Sequence, residues 1–278
     1  MTHSTVLDIV ADAKGAETGL GAFNVVLLEH AEAIAAGAER AQRPVIFQIS
    51  QNCVAYHGAL APIARATLSI ADAIGVPTLV HLDHADDVDL VHEAVDLGIQ
   101  SVMFDASTLP YDENVALTRE IADFCHGHGV LVEAELGEVG GKDGVHAPGA
   151  RTDPANAHRF VEATGVDWLA VAVGTSHAMT TREAAVDRAL IEQLASTVRV
   201  PLVLHGSSGL PDQQLEASVR AGMTKINIST HLNALFSGAV RERLAADPRL
   251  VDPRKYVAPG RAVVADEIER LLRLLHIG

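Results

Sequence analysis

The 278-residue sequence predicts an α/β fold, a single (β/α)8 TIM barrel over residues 1–278 with a helical extension at its C-terminus. Two observations predict it. Short apolar runs rich in β-branched residues alternate along the whole chain with longer, alanine-rich stretches of helical periodicity. The apolar runs are also nearly continuous, as is typical of parallel strands buried on both faces. A single barrel of about 250 residues accounts for this length.

Eight strands are predicted, each followed by a helical stretch. The strands are Gly21–Val25, Val45–Ser50, Thr78–Asp83, Ser101–Asp105, Leu131–Leu136, Trp168–Val173, Leu202–His205 and Lys225–Ile228. Eight such units favour closure into a barrel over an open doubly wound sheet, although alternation alone does not separate the two. No GxGxxG motif follows the first strand, which weakens the dinucleotide-binding alternative.

The helical stretches between the strands are recognised by their periodicity. They are His30–Gln42, Ala59–Ile74, Val88–Leu97, Glu113–His128, Ala155–Thr164, Arg188–Thr197 and Pro211–Ala221. Pro44, Pro77 and Pro201 directly precede strands, where helices have ended and proline is tolerated. Two segments fall outside the pattern: a long loop at Gly137–Asp153, of a length typical of active-site lids, and a final helix at roughly Ala262–Leu275.

Composition excludes several classes of protein. The net charge of −15 argues against nucleic-acid and acidic-membrane partners, which need clustered Lys and Arg. No apolar run is long enough to span a bilayer, and the N-terminus does not resemble a signal peptide. Cys53 and Cys125 have neither disulfide-framework nor zinc-binding spacing. We therefore expect a cytoplasmic protein.

Polar residues gather where the predicted strands end, which is where barrel enzymes carry their chemistry. These ends are Asn24, Ser50, Asp83 with His84, Asp105, Glu135, His177, His205 to Ser208, and Asn227 to Thr230. A barrel stabilised only by its core would not need polar groups at every strand end. The pattern therefore predicts an active site at this mouth.

Three histidines form the candidate metal site. His84, His177 and His205 follow the third, sixth and seventh strands, and a barrel brings these positions around one mouth. Three imidazoles with an open fourth position are typical of catalytic zinc. The sequence holds 14 histidines, and one alone is more often a surface or core residue. It is the shared position at strand ends that favours ligation.

Three carboxylates lie at the same mouth. Asp83 is either a general acid/base for a substrate hydroxyl or an acceptor that orients His81, and we favour the first. Asp105 and Glu135 either form a second cation site or hydrogen-bond to the metal ligands.

The loops after strands seven and eight are small, polar and followed by helices, and barrels often bind phosphate there. The candidate phosphate ligands are Gly206, Ser207, Ser208, Asn227, Ser229 and Thr230. The lysines are Lys14, Lys142, Lys225 and Lys255. None lies at the end of strand six, so a Schiff-base mechanism is disfavoured and a metal ion would have to activate a carbonyl substrate.

Six motifs together resemble the class II, metal-dependent fructose- and tagatose-bisphosphate aldolases. They are His81-Leu-Asp-His84, Ser101-Val-Met-Phe-Asp-Ala-Ser107, Val132-Glu-Ala-Glu-Leu-Gly137, Gly174-Thr-Ser-His177, Leu204-His-Gly-Ser-Ser-Gly209 and Lys225-Ile-Asn-Ile-Ser-Thr230. The likeness extends in the same order from Ala22-Phe-Asn24 to Asp252-Pro-Arg254 and so covers nearly the whole chain.

The resemblance implies an activity and roles for these residues. The three histidines would bind Zn²⁺, Asp83 would exchange the proton of the C4 hydroxyl, and Ser50 and Asn24 would contact the reacting end. The two polar loops would hold the C1 phosphate, and a monovalent cation, Na⁺ or K⁺, would lie near Gly174. It implies reversible cleavage of a phosphorylated ketose, by default fructose or tagatose 1,6-bisphosphate, to dihydroxyacetone phosphate and an aldehyde such as glyceraldehyde 3-phosphate. A homodimer or homotetramer is also implied.

The sequence departs from the family pattern at the lid and at the distal phosphate. In the family, a glutamate of the lid transfers the enediolate proton. In this sequence Asp143 is the residue closest to the position of that glutamate. Asn233 stands where the bisphosphate enzymes usually carry Arg or Lys, and Ser229 replaces the usual Asp or Ala. A ketose 1-phosphate without a distal phosphate is therefore one alternative substrate.

Two further alternatives concern the class of protein. The altered lid would also fit a degenerate homologue that binds metal without catalysis. A metal-dependent hydrolase on the same barrel is disfavoured, because the first strand ends Phe23-Asn24-Val25 and lacks the usual HxH pair.

Overall fold

Each of eight strands pairs in parallel with its neighbours along the chain, and β1 pairs with β8, which closes the barrel. The structure is a computed structural model that describes residues 18–136, 151–175, 182 and 185–277. The strands are β1 Leu20–Asn24, β2 Val45–Ser50, β3 Thr78–Ala85, β4 Ser101–Phe104, β5 Leu131–Glu135, β6 Trp168–Ala170, β7 Leu202–Leu204 and β8 Met223–Ile228. The predicted (β/α)8 TIM barrel is confirmed.

Ten α-helices lie within the described residues. They are α1 Leu28–Ala41, α2 Gln51–His57, α3 Leu60–Ala73, α4 Val88–Asp96, α5 Tyr111–Gly127, α6 Pro154–Thr164, α7 Arg188–Thr197, α8 Asp212–Ala221, α9 Thr230–Ala246 and α10 Pro253–Leu275. A 3-10 turn, Ser207–Gly209, follows β7. No helix in the described part of the chain is long and apolar enough to cross a membrane.

Several predicted bounds need correction. Strand β6 ends at Ala170 rather than at Val173, and the short helix α2 was not predicted. The C-terminal helix begins at Pro253, well before the predicted start at Ala262. Its N-terminus is stabilised because the Asp252 side chain accepts a hydrogen bond from the amide of Arg254, and Pro253 has no amide hydrogen to satisfy in the first turn.

Apolar side chains pack in two layers. The larger core lies between the outer face of the barrel and the helices, and the smaller one fills the barrel interior. The interior set is Leu20, Ala22, Ile46, Leu79, Met103, Leu131, Trp168, Ala170 and Val203. These residues plug the barrel below the mouth, so any ligand must enter from the carboxyl ends of the strands.

Helix α10 packs across α1. Gly37 of α1 makes this close approach feasible, because a Cβ there would lie 2.7 Å from Ile268 Cγ2 and 2.8 Å from the carbonyl oxygen of Ala265. The end of α10 also meets β1, where the Gly19 amide donates to the Leu275 carbonyl at 2.9 Å. The extension is therefore part of the barrel's packing.

Candidate active site

Polar side chains occupy the upper half of the barrel interior. Successive strand residues point to opposite faces, so every second residue faces inward. Along β3 the inward positions run from Leu79 through His81 to Asp83, and along β5 from Leu131 through Glu133 to Glu135. The interior thus changes from apolar to ionisable toward the carboxyl ends of the strands.

His84 and His205 meet at the centre of the mouth. His84 Nε2 lies 2.9 Å from His205 Nδ1, and the two rings are nearly perpendicular. His84 has a φ of 51°, a left-handed conformation that is unusual for histidine, and the register between β3 and β4 shifts at this point. Backbone strain of this kind is often found at functional sites. Here it accompanies the turn of His84 toward His205.

A carboxylate holds the far nitrogen of each ring. His84 Nδ1 lies 2.7 Å from Asp105 Oδ2, and His205 Nε2 lies 2.9 Å from Glu133 Oε1. An ionised carboxylate only accepts hydrogen bonds, so these nitrogens carry the protons. The two nitrogens that face each other, His84 Nε2 and His205 Nδ1, are then both lone-pair donors.

Two lone pairs at this separation require a cation between them, either a proton or a metal ion. Burial alone would lower the pKa of His84, but the charge of Asp83 and the hydrogen bond with Asp105 outweigh burial and raise this pKa to about 9. The site therefore attracts positive charge. Carboxylate–histidine pairs that point the other imidazole nitrogen at a metal are the usual arrangement around zinc, so these residues fit a zinc ion.

Asp83 lies beside this pair. An oxygen of Asp83 and one nitrogen each of His84 and His205 all lie within 4.8 Å of one another. Asp83 is only 4% exposed, and its Oδ1 has no hydrogen-bond partner among the described residues. The distance from Asp83 Oδ1 to His81 Nε2 is 3.9 Å, too long for a hydrogen bond. This geometry argues against a role for Asp83 in orienting His81.

A second group of potential ligands shares His84. Atoms of His84, Asp105 and Glu135 also lie within 4.8 Å of one another. The Asp105 carboxylate is held by the backbone amide and the hydroxyl of Ser107, at 3.1 and 2.6 Å. Both predicted roles of Asp105 are thus compatible with its position: it hydrogen-bonds to a candidate ligand and lines a further cation site.

The two polar loops after β7 and β8 lie against each other. The Ser207 hydroxyl donates to the Asn227 carbonyl, and the Ser229 amide donates to Ser208 Oγ at 3.2 Å. Ser207 is 1% exposed, whereas Ser208, Ser229 and Thr230 are only partly buried. The 3-10 turn and the first turn of α9 therefore present amide and hydroxyl groups together, as an anion site requires.

Asn227 occupies a different place from the other predicted phosphate ligands. Its Nδ2 lies 3.2 Å from His205 Nε2, and its Oδ1 is buried without a hydrogen-bond partner among the described residues. It faces the barrel interior two positions after Lys225. Asn227 therefore contacts a candidate metal ligand.

Asn24 and Ser50 lie at the ends of the adjacent strands β1 and β2. Gln48 Nε2 donates to Asn24 Oδ1 at 3.1 Å, and within the described part of the chain the amide hydrogens of Asn24 remain available to a ligand. The Ser50 hydroxyl caps α2 by accepting from the Cys53 amide at 3.2 Å, and the hydrogen bonds among the described residues leave its own proton available. Both side chains are partly buried at the mouth.

The sequence prediction placed none of four buried polar residues inside the barrel in the site: Gln48, His81, Glu133 and Lys225. His81 was considered only as a partner of Asp83, and Lys225 only as a possible Schiff-base lysine. A signal for them exists. Each stands two positions before a predicted site residue in the same strand, and that spacing places both side chains on one face of the strand. Two other predicted site residues, the ligand His177 and the lid residue Asp143, lie outside the described residues.

The barrel and its imidazole–carboxylate cluster define an enzyme of the (β/α)8 class with a site suited to a metal ion. Residues 4–277 match the family model described as fructose-bisphosphate aldolase class-II. The chain therefore belongs to the class II fructose-bisphosphate aldolase family, and it is an aldolase, a carbon–carbon lyase.

Individual relatives carry different names. The chain is 37% identical over 268 residues to a fructose-bisphosphate aldolase of Geobacillus stearothermophilus, covering 95% of this chain and 93% of the relative. It is also 37% identical over 268 residues to a 6-phospho-5-dehydro-2-deoxy-D-gluconate aldolase of Shouchella clausii, covering 95% and 92%. Among solved structures, the YdjI aldolase of Escherichia coli K12 is 30% identical with a TM-score of 0.83, covering 95% and 94% of the two chains.

Proposed function

We propose that this protein is a zinc-dependent aldolase that reversibly cleaves a phosphorylated ketose to dihydroxyacetone phosphate and an aldehyde. The observation that supports it is the facing pair His84 Nε2 and His205 Nδ1, each ring fixed by a carboxylate, beside an oxygen of Asp83 that has no hydrogen-bond partner among the described residues. His84 and His205 would hold the ion together with His177. The ion would polarise the ketose carbonyl as a Lewis acid.

The chain's own residues would move the protons and hold the substrate. Asp83 would take the proton of the C4 hydroxyl as the C3–C4 bond breaks, and the electron pair of that bond would remain on C3. Asp143 is proposed as the acid that then protonates C3. The C1 phosphate would bind between Ser208 and the first turn of α9, and Asn24 and Ser50 would hydrogen-bond to the reacting end. A monovalent cation near Gly174 and a homo-oligomeric assembly complete the proposal.

The test is a zinc-reconstituted preparation assayed for release of dihydroxyacetone phosphate from fructose 1,6-bisphosphate, tagatose 1,6-bisphosphate and ketose 1-phosphates. We expect the protein to bind nearly one zinc ion per chain and to release dihydroxyacetone phosphate from at least one substrate. The variant His205→Ala should lose both zinc binding and this release. A protein that binds zinc yet releases no dihydroxyacetone phosphate from the panel would contradict the proposal. Light scattering of the same preparation tests the oligomer.

A ketose 1-phosphate without a distal phosphate is a second candidate substrate, and the surroundings of Asn233 favour it. Asn233 lies on the first turn of α9, close enough to His30 of α1 to influence the pKa of that ring, although His30 Nε2 has no hydrogen-bond partner among the described residues. Burial lowers the pKa of His30, so this pair carries no positive charge at neutral pH. A second phosphate would find no cation in either side chain. The two relatives described above likewise bear names with different sugar substrates.

Substitution at position 233 separates the two candidates. Asn233→Arg should raise kcat/KM for fructose 1,6-bisphosphate relative to fructose 1-phosphate by roughly tenfold or more, because a charged hydrogen bond to phosphate contributes about 1.5–3 kcal/mol. Asn233→Gln, which adds length without charge, is the control. An unchanged ratio in both variants would show that position 233 does not contact the distal group.

A further inference from the structure

A buried lysine lies directly beneath the candidate metal site and has no part in the proposed reaction. Lys225, on β8, is 1% exposed, although lysine is seldom buried unless it is paired. Its Nζ donates to Glu133 Oε2 at 2.6 Å and lies 3.2 Å from His81 Nε2. Because the ammonium is paired with a carboxylate, it is not available as the amine nucleophile of a Schiff base.

Through Glu133, Lys225 is connected to the candidate zinc ligand His205. Glu133 is fully buried, and its two oxygens have separate partners, with Lys225 on Oε2 and His205 Nε2 on Oε1. A carboxylate in such a place stays ionised only if a nearby cation compensates for its lost hydration. Ionised Glu133 accepts the Nε2 proton of His205, and this directs the lone pair at Nδ1 toward His84.

The second contact leads toward Asp83. A lysine ammonium only donates hydrogen bonds, so His81 Nε2 must accept from it. His81 Nδ1 then carries the proton and donates to Ser101 Oγ at 2.9 Å. With Nε2 engaged by Lys225, His81 has no proton to offer Asp83, whose Oδ1 lies 3.9 Å away. The carboxylate of Asp83 is thus left for the substrate.

We propose that Lys225 is a positioning residue that fixes the ring of His205 through Glu133 and keeps His81 from engaging Asp83. The inference rests on the proposed zinc function. Lys225 would orient the metal ligand His205 and also keep the surroundings of the acid/base Asp83 in place, without itself touching zinc or substrate.

The experiment measures the zinc dissociation constant by chelator competition, together with the Tm of the zinc-free proteins. Lys225→Met keeps the side-chain volume and removes the charge. We expect zinc to bind roughly 10–100-fold more weakly, the usual cost of losing a residue that orients a metal ligand. Unchanged zinc affinity, within twofold, would overturn the proposal.

A second variant separates positioning from stability. Lys225→Met leaves Glu133 buried without a counter-charge and should lower the Tm, whereas the double variant Lys225→Met/Glu133→Gln removes both charges and should recover much of that loss. In the double variant zinc should still bind at least tenfold more weakly than in the unsubstituted protein, because a neutral amide is a poorer acceptor for His205 than a carboxylate. Recovery of zinc affinity in step with the Tm would overturn the proposal.

Two controls complete the design. Leu79→Ala opens a cavity in the apolar interior layer and should lower the Tm while changing zinc affinity by less than twofold. If Leu79→Ala weakens zinc binding as much as Lys225→Met, general destabilisation explains both and the inference fails. His205→Ala tests the underlying function separately: zinc binding equal to that of the unsubstituted protein would refute the proposed zinc site and the inference with it.

Discussion

Among single residues, Asp83 is the most direct test of the chemistry. Its buried Oδ1 has no hydrogen-bond partner among the described residues, and one of its carboxylate oxygens lies within 4.8 Å of a nitrogen of each candidate ligand. We expect Asp83→Ala to retain zinc but to lower kcat for cleavage by roughly 10²–10⁴-fold, the usual contribution of a positioned acid/base. Asp89→Ala, the same change at an exposed carboxylate on α4, should leave kcat unchanged. Full turnover in the Asp83 variant would assign proton transfer to another group.

Residue types at the mouth could be predicted from the sequence, but their protonation could not. The strand-end pattern correctly brings His84, His205, Asp83 and Asp105 together. Which nitrogen of each imidazole faces its neighbour depends on contacts between distant residues. His205 and Glu133 are 72 positions apart, and Lys225 and Glu133 are 92 positions apart. Only the closed barrel shows that these pairs meet.

Among the elements, strand positions were predictable because buried parallel strands are continuous apolar runs. Strand β2 and helix α7 have the predicted bounds, and most other bounds differ by a few residues. The predicted eighth strand starts at Lys225 rather than at Met223, because a lysine is expected to mark the end of a buried apolar run. The predicted fifth strand already runs through Glu133, but the sequence indicates no partner for that buried carboxylate. In this barrel, Lys225 and Glu133 compensate each other's charge, so both strands continue past them.

The contact between α1 and α10 can be tested with two helical glycines. Gly37→Ala should improve helix propensity by about 1 kcal/mol, but its Cβ would meet Ile268 and the Ala265 carbonyl at under 3 Å. Overpacking typically costs about 1–3 kcal/mol, so we expect a net loss of unfolding free energy. A Cβ added at Gly238 on α9 would meet no atom of the described residues within 4 Å, and Gly238→Ala should stabilise by about 0.5–1 kcal/mol. Urea denaturation measures both. Equal effects would show that the helices are not in close contact at Gly37.

Glu267 of α10 pairs with Arg270 of the same helix and hydrogen-bonds to His231 at the start of α9, and these contacts are acid-sensitive. Burial tends to raise the pKa of Glu267, but hydrogen bonds from Arg270 and His231 outweigh it and lower this pKa to about 2, from 4.5. Because the folded-state pKa is the lower one, the carboxylate stabilises the fold above pH 4.5. That contribution is lost as the pH falls toward 2.

The corresponding variant is Glu267→Gln. We expect it to lower the unfolding free energy at pH 7 by roughly 1–2 kcal/mol, after allowing for solvent screening at the half-exposed Arg270. The deficit should shrink by about half or more near pH 3. Glu192→Gln, which removes an exposed pair with Arg188, should cost less than about 0.5 kcal/mol at either pH. A deficit for Glu267→Gln that is independent of pH would contradict this account.

For the whole molecule, the net charge of −15 opposes the approach of a phosphorylated sugar. Local amide and hydroxyl donors at the mouth attract the anion, but they act over a short range, whereas the overall field extends roughly 30 Å at 0.01 M salt and about 8 Å at 0.15 M. Raising ionic strength between these values should therefore increase kcat/KM by roughly two- to fivefold, since screening removes more repulsion than attraction. The value of kcat, measured at saturating substrate, should hardly change, because bound substrate no longer has to approach the active site.

The salt must not itself occupy the proposed monovalent cation site, so tetramethylammonium chloride is the salt to titrate. A parallel series in KCl then separates specific activation from screening: a rise in kcat confined to KCl indicates a bound cation, and a rise in kcat/KM common to both salts indicates screening. A fall in kcat/KM with added tetramethylammonium chloride would mean that a local positive field at the mouth outweighs the acidic surface. That outcome would reverse the sign of the electrostatic steering expected from the net charge.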